Sequence, residues 1–302
     1  MQQSNNLLPN GTKPENGGIL RERMKSDKPW PRGESRWKTG PTEPPAGSGE
    51  SGEVIFGLHA VEEALRSGAR PLRRLVIVRT DRQFEALVQL ARAAGVPVRI
   101  EPRQALDRLV PSGRHQGVVA LAGAKAYAEL EEILQAALKQ NQPALVLLLD
   151  GVEDPHNLGA VLRTAEAAGA HGVVIPERRS VGLTGTVAKA SAGAVEHLPV
   201  ACVTNLSRAI EQLKEQNIWV YALDPSAEKS YTALDLKGPV ALVLGGEGKG
   251  VRAGVLDKCD DRAKIQMHGR VASLNVSAAA AIVLFEVVRQ RTGAGSGSPD
   301  HS

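Results

Sequence analysis

The sequence predicts an α/β fold built on a mainly parallel sheet, with a smaller α/β domain in front of it. Short β-branched segments alternate with segments whose apolar residues recur at helical spacing, as is typical of parallel sheets covered by helices. Hydrophobic residues make up 42% of the 302 residues, enough for one large or two medium-sized cores. Apolar runs such as 144–149 and 278–284 are far shorter than the ~20 residues that span a bilayer.

Residues 1–52 are predicted to form a flexible tail, because Gly, Pro, Ser, Asn and charged residues dominate them. They contain no basic region followed by an apolar stretch, so we expect no secretion signal. Cys202 and Cys259 are the only cysteines, too few for a disulfide scaffold and at no metal-binding spacing. We therefore expect a cytoplasmic protein that needs neither a metal nor a membrane.

The first folded segment is predicted at 53–125, and it is basic. Its helices are expected to end at Gly68 and Gly95, since glycine favours helix termination. The predicted strands are 75–79, 96–100 and 117–121, and the predicted helices are 59–66 and 83–94. Residues 51–125 contain 12 Lys and Arg against 7 Asp and Glu, whereas residues 126–302 contain 17 against 20. This division suggests that the first segment contacts a polyanion.

A helix-prone linker at 126–142 leads into a second domain at 143–293, which a short tail at 294–302 follows. The predicted strands are 144–150, 172–175, 198–203, 218–223, 240–244 and 263–267, and the predicted helices are 157–168, 206–215 and 274–290. Parallel sheets bind ligands in the crevice beyond the carboxyl ends of their strands. The functional loops are therefore expected after Leu149, Leu223, Leu244 and Met267.

The first of these loops, DGVEDPHNLG, runs from a strand end into a helix start. Asn157 suits a helix cap. Gly159 and Arg163 are four residues apart on one helical face, so Gly159 is predicted to leave space beneath the long arm of Arg163. Two interpretations of Arg163 stay open: an ion pair with Glu153 or Glu166, or a guanidinium that binds phosphate or carboxylate.

The second loop, LGGEGKG at 244–250, is a glycine-rich strand end that exposes backbone N–H groups. A phosphate-binding P-loop is excluded, because Lys249 is followed by Gly250 rather than by Ser or Thr. A loose dinucleotide-binding pattern starts at Gly248 and is the only support for a nicotinamide-dependent dehydrogenase. The glycines that flank Glu247 favour a ligand-facing carboxylate over a solvated turn residue.

The third loop, 265–277, leads into a helix with an apolar face. Ser273 and Asn275 are residues that commonly cap helices, and capping alone would account for either one. Three polar loops at the same end of one sheet nevertheless predict a shared site.

In their order and spacing, the three loops resemble the motifs of the SpoU/TrmH branch of the SPOUT RNA ribose methyltransferases. Residues 157–165 resemble the first motif, 244–250 the second and 265–277 the third. Residues 53–122, with FGLHAVEE and HQGVVA, look like the amino-terminal substrate-binding domain of the family. Gln266 departs from the pattern, since many members have Pro there, and we expect a more flexible loop without loss of cofactor binding.

The resemblance implies S-adenosylmethionine as methyl donor and a ribose 2′-hydroxyl in RNA as acceptor. It also implies a homodimer and a carboxy-terminal trefoil knot around the cofactor, a feature that general rules of chain topology disfavour. The two-domain layout is most similar to members that methylate a guanosine ribose in 23S rRNA, free or in a ribosomal precursor. The alternatives are a tRNA ribose methyltransferase and a non-catalytic RNA-binding factor for ribosome assembly.

Residue by residue, the resemblance assigns a cofactor set and a reaction centre. The adenosyl group would be held around Leu223, Leu244, Gly245, Ile265, Met267 and Leu274. The reaction centre would comprise Arg163, Asn157, Glu247, Ser273 and Asn275. A guanidinium stays protonated, so Arg163 is expected to hold a phosphate and to stabilise the developing alkoxide. Phosphate contacts are expected in the basic domain, with a solvated surface as the alternative for each residue, at Arg70, Arg73, Arg74 and Arg114.

Overall fold

In the computed structural model, which describes residues 52–271 and 273–293, the strands form two separate sheets. The first sheet has four strands and the second has six. Both sheets lie within one unit, Ser48–Ser302. Apart from Gly52, the predicted tails at 1–52 and 294–302 lie outside the described residues.

The first sheet is mixed, in the order β1-β4-β2-β3, with β4 antiparallel to both β1 and β2 and with β2 parallel to β3. Its strands are β1 (Glu53–Phe56), β2 (Leu72–Ile77), β3 (Val98–Ile100) and β4 (Val118–Ala122). Its helices are α1 (Leu58–Ser67), α2 (Arg82–Ala93) and α3 (Arg103–Leu109). The sequence did not predict β1 or α3, because four and seven residues are too few to show a clear period.

The second sheet is entirely parallel, in the order β10-β8-β9-β5-β6-β7, which confirms the predicted mainly parallel α/β architecture. Its strands are β5 (Leu145–Asp150), β6 (Gly172–Pro176), β7 (Val200–Val203), β8 (Trp219–Leu223), β9 (Val240–Gly245) and β10 (Asp261–Ala263). The helices along this part are α4 (Leu130–Lys139), α5 (Pro155–Ala167), α6 (Gly185–Ala190), α7 (Leu206–Glu215), α8 (Ala253–Leu256) and α9 (Val276–Gly293).

Helices cover both faces of this sheet, so its central strands are buried on both sides. All six residues of β5 are buried. Successive side chains of a strand point to opposite faces. Leu147 accordingly packs in the cluster that includes residues of α5 and α9, whereas Leu148 packs in the cluster that includes residues of α4 and α7. Within the described ranges, no helix combines the length and the apolar character that a bilayer span requires.

The last strand is shorter than predicted. The sequence suggested 263–267, but β10 ends at Ala263, which pairs with Leu223, the last residue of β8. β10 is an edge strand with β8 as its single neighbour in the sheet, and β8 gives way to a turn at Asp224. The residues after Ala263 therefore leave the sheet and are free to line a cavity.

Two details of α5 also correct the sequence analysis. The helix begins at Pro155, and its cap is Asp154, whose side chain accepts a hydrogen bond from His156 N, so Asn157 lies inside the first turn. Gly159 does not make room for Arg163. A Cβ on Gly159 would overlap the Cβ of Ala190 in α6, so this glycine permits close packing of α5 and α6.

Candidate functional site

The loops that follow β8, β9 and β10 meet around one cavity at the carboxyl end of the second sheet. Its volume is about 510 Å³, within the range of small-molecule sites. All six residues expected to hold the cofactor line this cavity: Leu223, Leu244, Gly245, Ile265, Met267 and Leu274. The loops therefore meet at one edge of the sheet, as expected for loops at the carboxyl ends of parallel strands.

The glycines of the second loop are required by close backbone packing. A Cβ on Gly245 would overlap the backbone of Gly250, and a Cβ on Gly246 would overlap the carbonyl oxygen of Gly151. Gly246 N also donates a hydrogen bond to Asp150 O at 2.8 Å. The loop after β9 is thus folded tightly on itself and onto the end of β5.

The far end of this loop is fixed by an ion pair that the sequence analysis missed. Arg252 donates to the Asp150 carboxylate from its backbone N at 2.8 Å and from Nε at 2.8 Å, and its Nη2 lies 2.8 Å from Oδ1. The side chain of Asp150 is only 2% exposed. A charged residue at the end of an otherwise apolar strand was the available signal, because a buried carboxylate needs a partner.

Residues from all three loops form a hydrogen-bonded cluster at the cavity. Asn157 Nδ2 donates to Glu247 Oε1 at 2.9 Å, and Asn275 Nδ2 donates to the same oxygen at 2.8 Å. Asn275 Nδ2 also donates to Asn157 Oδ1 at 3.0 Å. Glu247 and Asn275 line the cavity, as does Ser273, and Asn157 supports them from α5. Within the described residues, Glu247 Oε2 has no protein donor.

The orientation of the Asn275 amide is set by Ser277. Asn275 Oδ1 accepts from Ser277 N at 2.9 Å and from Ser277 Oγ at 2.6 Å. Because the oxygen is occupied at the start of α9, the amide nitrogen must face Glu247 and Asn157. Asn275 therefore caps the helix, as the sequence suggested, and also joins the cluster. Ser277 was not singled out, although its place two residues after a capping Asn was the available signal.

Arg163 is not part of this hydrogen-bonded cluster. It is six residues beyond Asn157, which places it about 9 Å further along α5 and on another face of the helix. It is exposed, does not line the cavity, and forms no hydrogen bond or ion pair with any described residue. The suggested ion pair with Glu153 or Glu166 is thus absent from the part of the chain that the structure describes.

Three of the four predicted RNA-binding arginines are accessible, but Arg70 is not. Arg73 and Arg114 are exposed and Arg74 is half-buried. The side chain of Arg70 is 1% exposed and pairs with Glu196 through Nη2, at 2.6 Å from Oε1, and with Glu53. Arg70 therefore joins β1 to the segment between α6 and β7, and its burial prevents contact with a phosphate.

Burial dominates the electrostatics of this ion cluster. It raises the pKa of Glu53, although Arg70 beside it acts in the opposite direction. It also lowers the pKa of Lys125, whose Nζ lies 4.0 Å from Glu196 Oε2. At the described residues, no group of three or more His, Cys, Asp or Glu is placed to hold a metal ion.

The chain was compared with known protein families. Residues 144–285 match the model of the SpoU rRNA Methylase family, and residues 54–128 match the model of the RNA 2′-O ribose methyltransferase substrate-binding domain. The two matches together include both sheets.

Relatives cover most of the chain. YacO of Bacillus subtilis, named as a TrmH-family tRNA/rRNA methyltransferase, is 47% identical over 244 residues, which are 80% of this chain and 98% of YacO. The 23S rRNA (guanosine-2′-O-)-methyltransferase RlmB of Ralstonia nicotianae is 44% identical over 80% of this chain and 96% of its own length.

Solved structures of RNA methyltransferases are also similar to this chain. An RNA 2′-O ribose methyltransferase is 32% identical, with a TM-score of 0.66 over 79% of this chain and 88% of that one. An AdoMet-bound rRNA methyltransferase of Sinorhizobium meliloti is 26% identical, with a TM-score of 0.63 over 79% of this chain and 87% of that one. On the family match and the identity to these relatives, the chain belongs to the SpoU rRNA methylase family.

Proposed function

We propose that this protein methylates the 2′-hydroxyl of a guanosine ribose in 23S rRNA, with S-adenosylmethionine as the methyl donor. The observation that carries the proposal is the cluster of Asn157, Glu247 and Asn275, which three separate loops build at the edge of one cavity. The choice of 23S rRNA rests on RlmB, whose similarity extends through both domains. The enzyme would act in the cytoplasm, where the ribosome is assembled.

The cavity fits a nucleoside cofactor with a charged tail. Its volume of about 510 Å³ suits a ligand of this size. The apolar side chains of Leu223, Ile265 and Leu274 would contact the adenine, and the backbone at Gly245 would approach it closely. When bound, S-adenosylmethionine supplies a methyl group already activated by its sulfonium.

The protein's own residues then orient the ribose and assist the loss of its proton. Glu247 Oε2 receives no hydrogen bond from the described residues and would accept one from a ribose hydroxyl, while Oε1 stays fixed by the two Asn amides. Holding the hydroxyl in line with the methyl carbon supplies much of the rate enhancement that a reaction of this kind needs. Ser273 would provide a further polar contact at the same edge of the cavity.

Arg163 would reach this centre from a second copy of the chain. In its own protomer it is exposed and does not line the cavity, which supports a catalytic role in the cavity of another protomer. There its guanidinium would hold the target phosphate and stabilise the developing alkoxide. A homodimer has further support in α9, which exposes Ala278 and, at 50% exposure, Phe285 along the face opposite its buried side.

The carboxy-terminal domain would contain the trefoil knot of the family. After β10 at the edge of the sheet, the chain turns back, and α9 packs against α5 and β9. The loop after β9 meanwhile packs against Gly151 at the end of β5. The return of the chain from β10 to α5 and the packing of the β9 loop onto β5 support a knotted path around the cavity.

The division of the chain into functional regions follows from this account. Residues 53–125 would bind RNA through Arg73, Arg74 and Arg114, with 126–142 as the linker and 143–293 as the methyltransferase domain. The small number of aromatic residues, 3% of the chain, favours recognition of RNA backbone and shape over base stacking.

The proposal is tested by incubating the full-length protein with labelled S-adenosylmethionine and transcripts of either 23S rRNA or tRNA. Nucleosides are then separated and identified by mass spectrometry. We expect 2′-O-methylguanosine from the 23S transcript, and none when Asn157 and Glu247 are both replaced by alanine. Label confined to tRNA would favour the tRNA enzyme, and RNA binding without transfer to any RNA would favour an assembly factor.

A further inference from the structure

The charged side chains that line the cavity are unevenly distributed. Glu247 lies after β9, next to the proposed reaction centre, whereas Asp224 and Lys264 lie after β8 and β10. Among the described residues, Lys264 is the one basic side chain of the lining. β10 is two strands away from β9, a separation of about 10 Å. The cavity thus has one carboxylate near the proposed reaction centre, and a lysine beside a second carboxylate on its far side.

Lys264 is held in place by its backbone, while none of the described residues pairs with its ammonium group. Its N donates to Lys229 O at 2.9 Å, and its carbonyl oxygen accepts from Tyr231 N at 3.0 Å. The side chain is half-buried, and Nζ has no hydrogen bond or ion pair with the residues that the structure describes. Lysine can bury its aliphatic stem while its ammonium group stays accessible, and Lys264 lines the cavity, so a ligand there can reach the ammonium group.

The neighbouring carboxylate does not neutralise Lys264. Asp224 lies next to it, since Asp224 N donates to Ala263 O at 2.9 Å. Asp224 Oδ1 accepts from Ser226 N at 2.9 Å and from Ser226 Oγ at 2.8 Å. Its other oxygen lies 3.9 Å from Nη1 of Arg262. Lys264 therefore keeps its charge available for a ligand in the cavity.

We propose that Lys264 binds the carboxylate of the methionine portion of S-adenosylmethionine and so selects the cofactor by its amino-acid tail. This inference rests on the proposed function. The sulfonium and the carboxylate are opposite charges within one ligand. The methionine portion also carries an α-ammonium beside its carboxylate. Glu247 near the proposed reaction centre would face the sulfonium, while Lys264 with Asp224 beside it would face the carboxylate and the ammonium. A lysine, with its long flexible stem, makes a point-charge contact rather than a fixed two-pronged one.

The test compares two ligands that differ only in the carboxylate, S-adenosylmethionine and its decarboxylated analogue, by calorimetry on the full-length protein. We expect the wild type to bind S-adenosylmethionine ~5- to 10-fold more tightly than the analogue, as a partly exposed charged hydrogen bond would give. Lys264→Met should weaken binding of S-adenosylmethionine by that factor and change binding of the analogue less than about twofold. Lys264→Arg should keep most of the discrimination.

Lys237→Met is the matched control, because Lys237 is an exposed lysine outside the cavity lining and its loss changes the net charge equally. It should leave both affinities unchanged. Equal weakening of both ligands by Lys264→Met, or no change in either, would overturn the role of Lys264 and leave the proposed function intact. If the wild type binds neither ligand, the proposed function itself fails.

Discussion

Replacing Arg70 with methionine is expected to destabilise the protein while leaving the affinity of the folded protein for RNA unchanged. The substitution keeps a long side chain but removes the charge that faces Glu196, whose side chain is 0% exposed. Removing one partner of a buried ion pair costs about 3–5 kcal/mol, because the other charge is left uncompensated. Lys125 remains 4.0 Å from the same carboxylate, which favours the lower end of that range.

Equilibrium unfolding in urea measures this effect, and thermal unfolding gives a second readout. A loss of about 3 kcal/mol corresponds to a decrease in Tm of roughly 6–12 °C for a folded unit of this size. The double variant Arg70→Met/Glu196→Gln should recover part of the loss, since it removes the unpaired carboxylate as well. That recovery separates the ion pair from a general packing defect.

The RNA readout distinguishes this structural role from the phosphate contact that the sequence suggested. In Arg70→Met, the dependence of RNA affinity on salt should equal that of the wild type. Arg114→Met is the matched control, because Arg114 is exposed, and it should lower the salt slope by about 1 with little change in stability. A stable Arg70→Met protein with a reduced salt slope would refute the structural assignment.

Three other substitutions test the packing, the pH response and the assembly. Gly159→Ala should destabilise the protein by about 1–3 kcal/mol in urea unfolding, because its Cβ would overlap Ala190, and an unchanged midpoint would contradict this packing. His171 is buried, its Nδ1 accepts a hydrogen bond from Leu145 N, and burial lowers its pKa. Below pH ~6.5 the unfolded chain therefore binds more protons than the folded protein. The free energy of unfolding should fall there, by at most about 1.4 kcal/mol per pH unit. His171→Gln should flatten that decline. If the proposed dimer forms through this face of α9, Phe285→Glu should halve the mass measured by light scattering, and a wild-type mass would exclude the face from the proposed dimer.

Most strands of the second sheet were predictable because they are continuous apolar runs. The rule that ligands bind beyond the carboxyl ends of parallel strands then indicated which loops form the cavity. The end of β10 could not be predicted from the sequence. Ala263 is its last residue with a partner on β8, and pairing depends on where the neighbouring strand stops. The start of α5 was also predicted incorrectly, at residue 157 instead of Pro155. Asp154 and Asn157 are both suitable caps, and local preference alone does not choose between them.

Some features of the candidate site could likewise be predicted from the sequence, and others could not. The resemblance named nine of the residues that line the cavity, and eight of them lie in the second and third motifs; Leu223, at the end of β8, lies outside the motifs. Arg70 was assigned to RNA because a charge in a basic segment usually faces solvent, whereas its burial depends on Glu196, more than a hundred residues away. Arg252 was missed because it acts through hydrogen bonds to Asp150, 102 residues away, and sequence spacing does not show such a partner.

The most direct measurement of the assembled site uses dimers mixed from two inactive variants, Arg163→Ala and Asn275→Ala. Each homodimer alone should lose about 100-fold or more in single-turnover methyl transfer to 23S rRNA. If Arg163 serves the cavity of the partner protomer, a mixed dimer contains one complete site, and activity should return to a substantial fraction of wild type. No recovery in verified mixed dimers, or full activity of Arg163→Ala alone, would contradict a reaction centre that joins three loops of one chain with Arg163 of another.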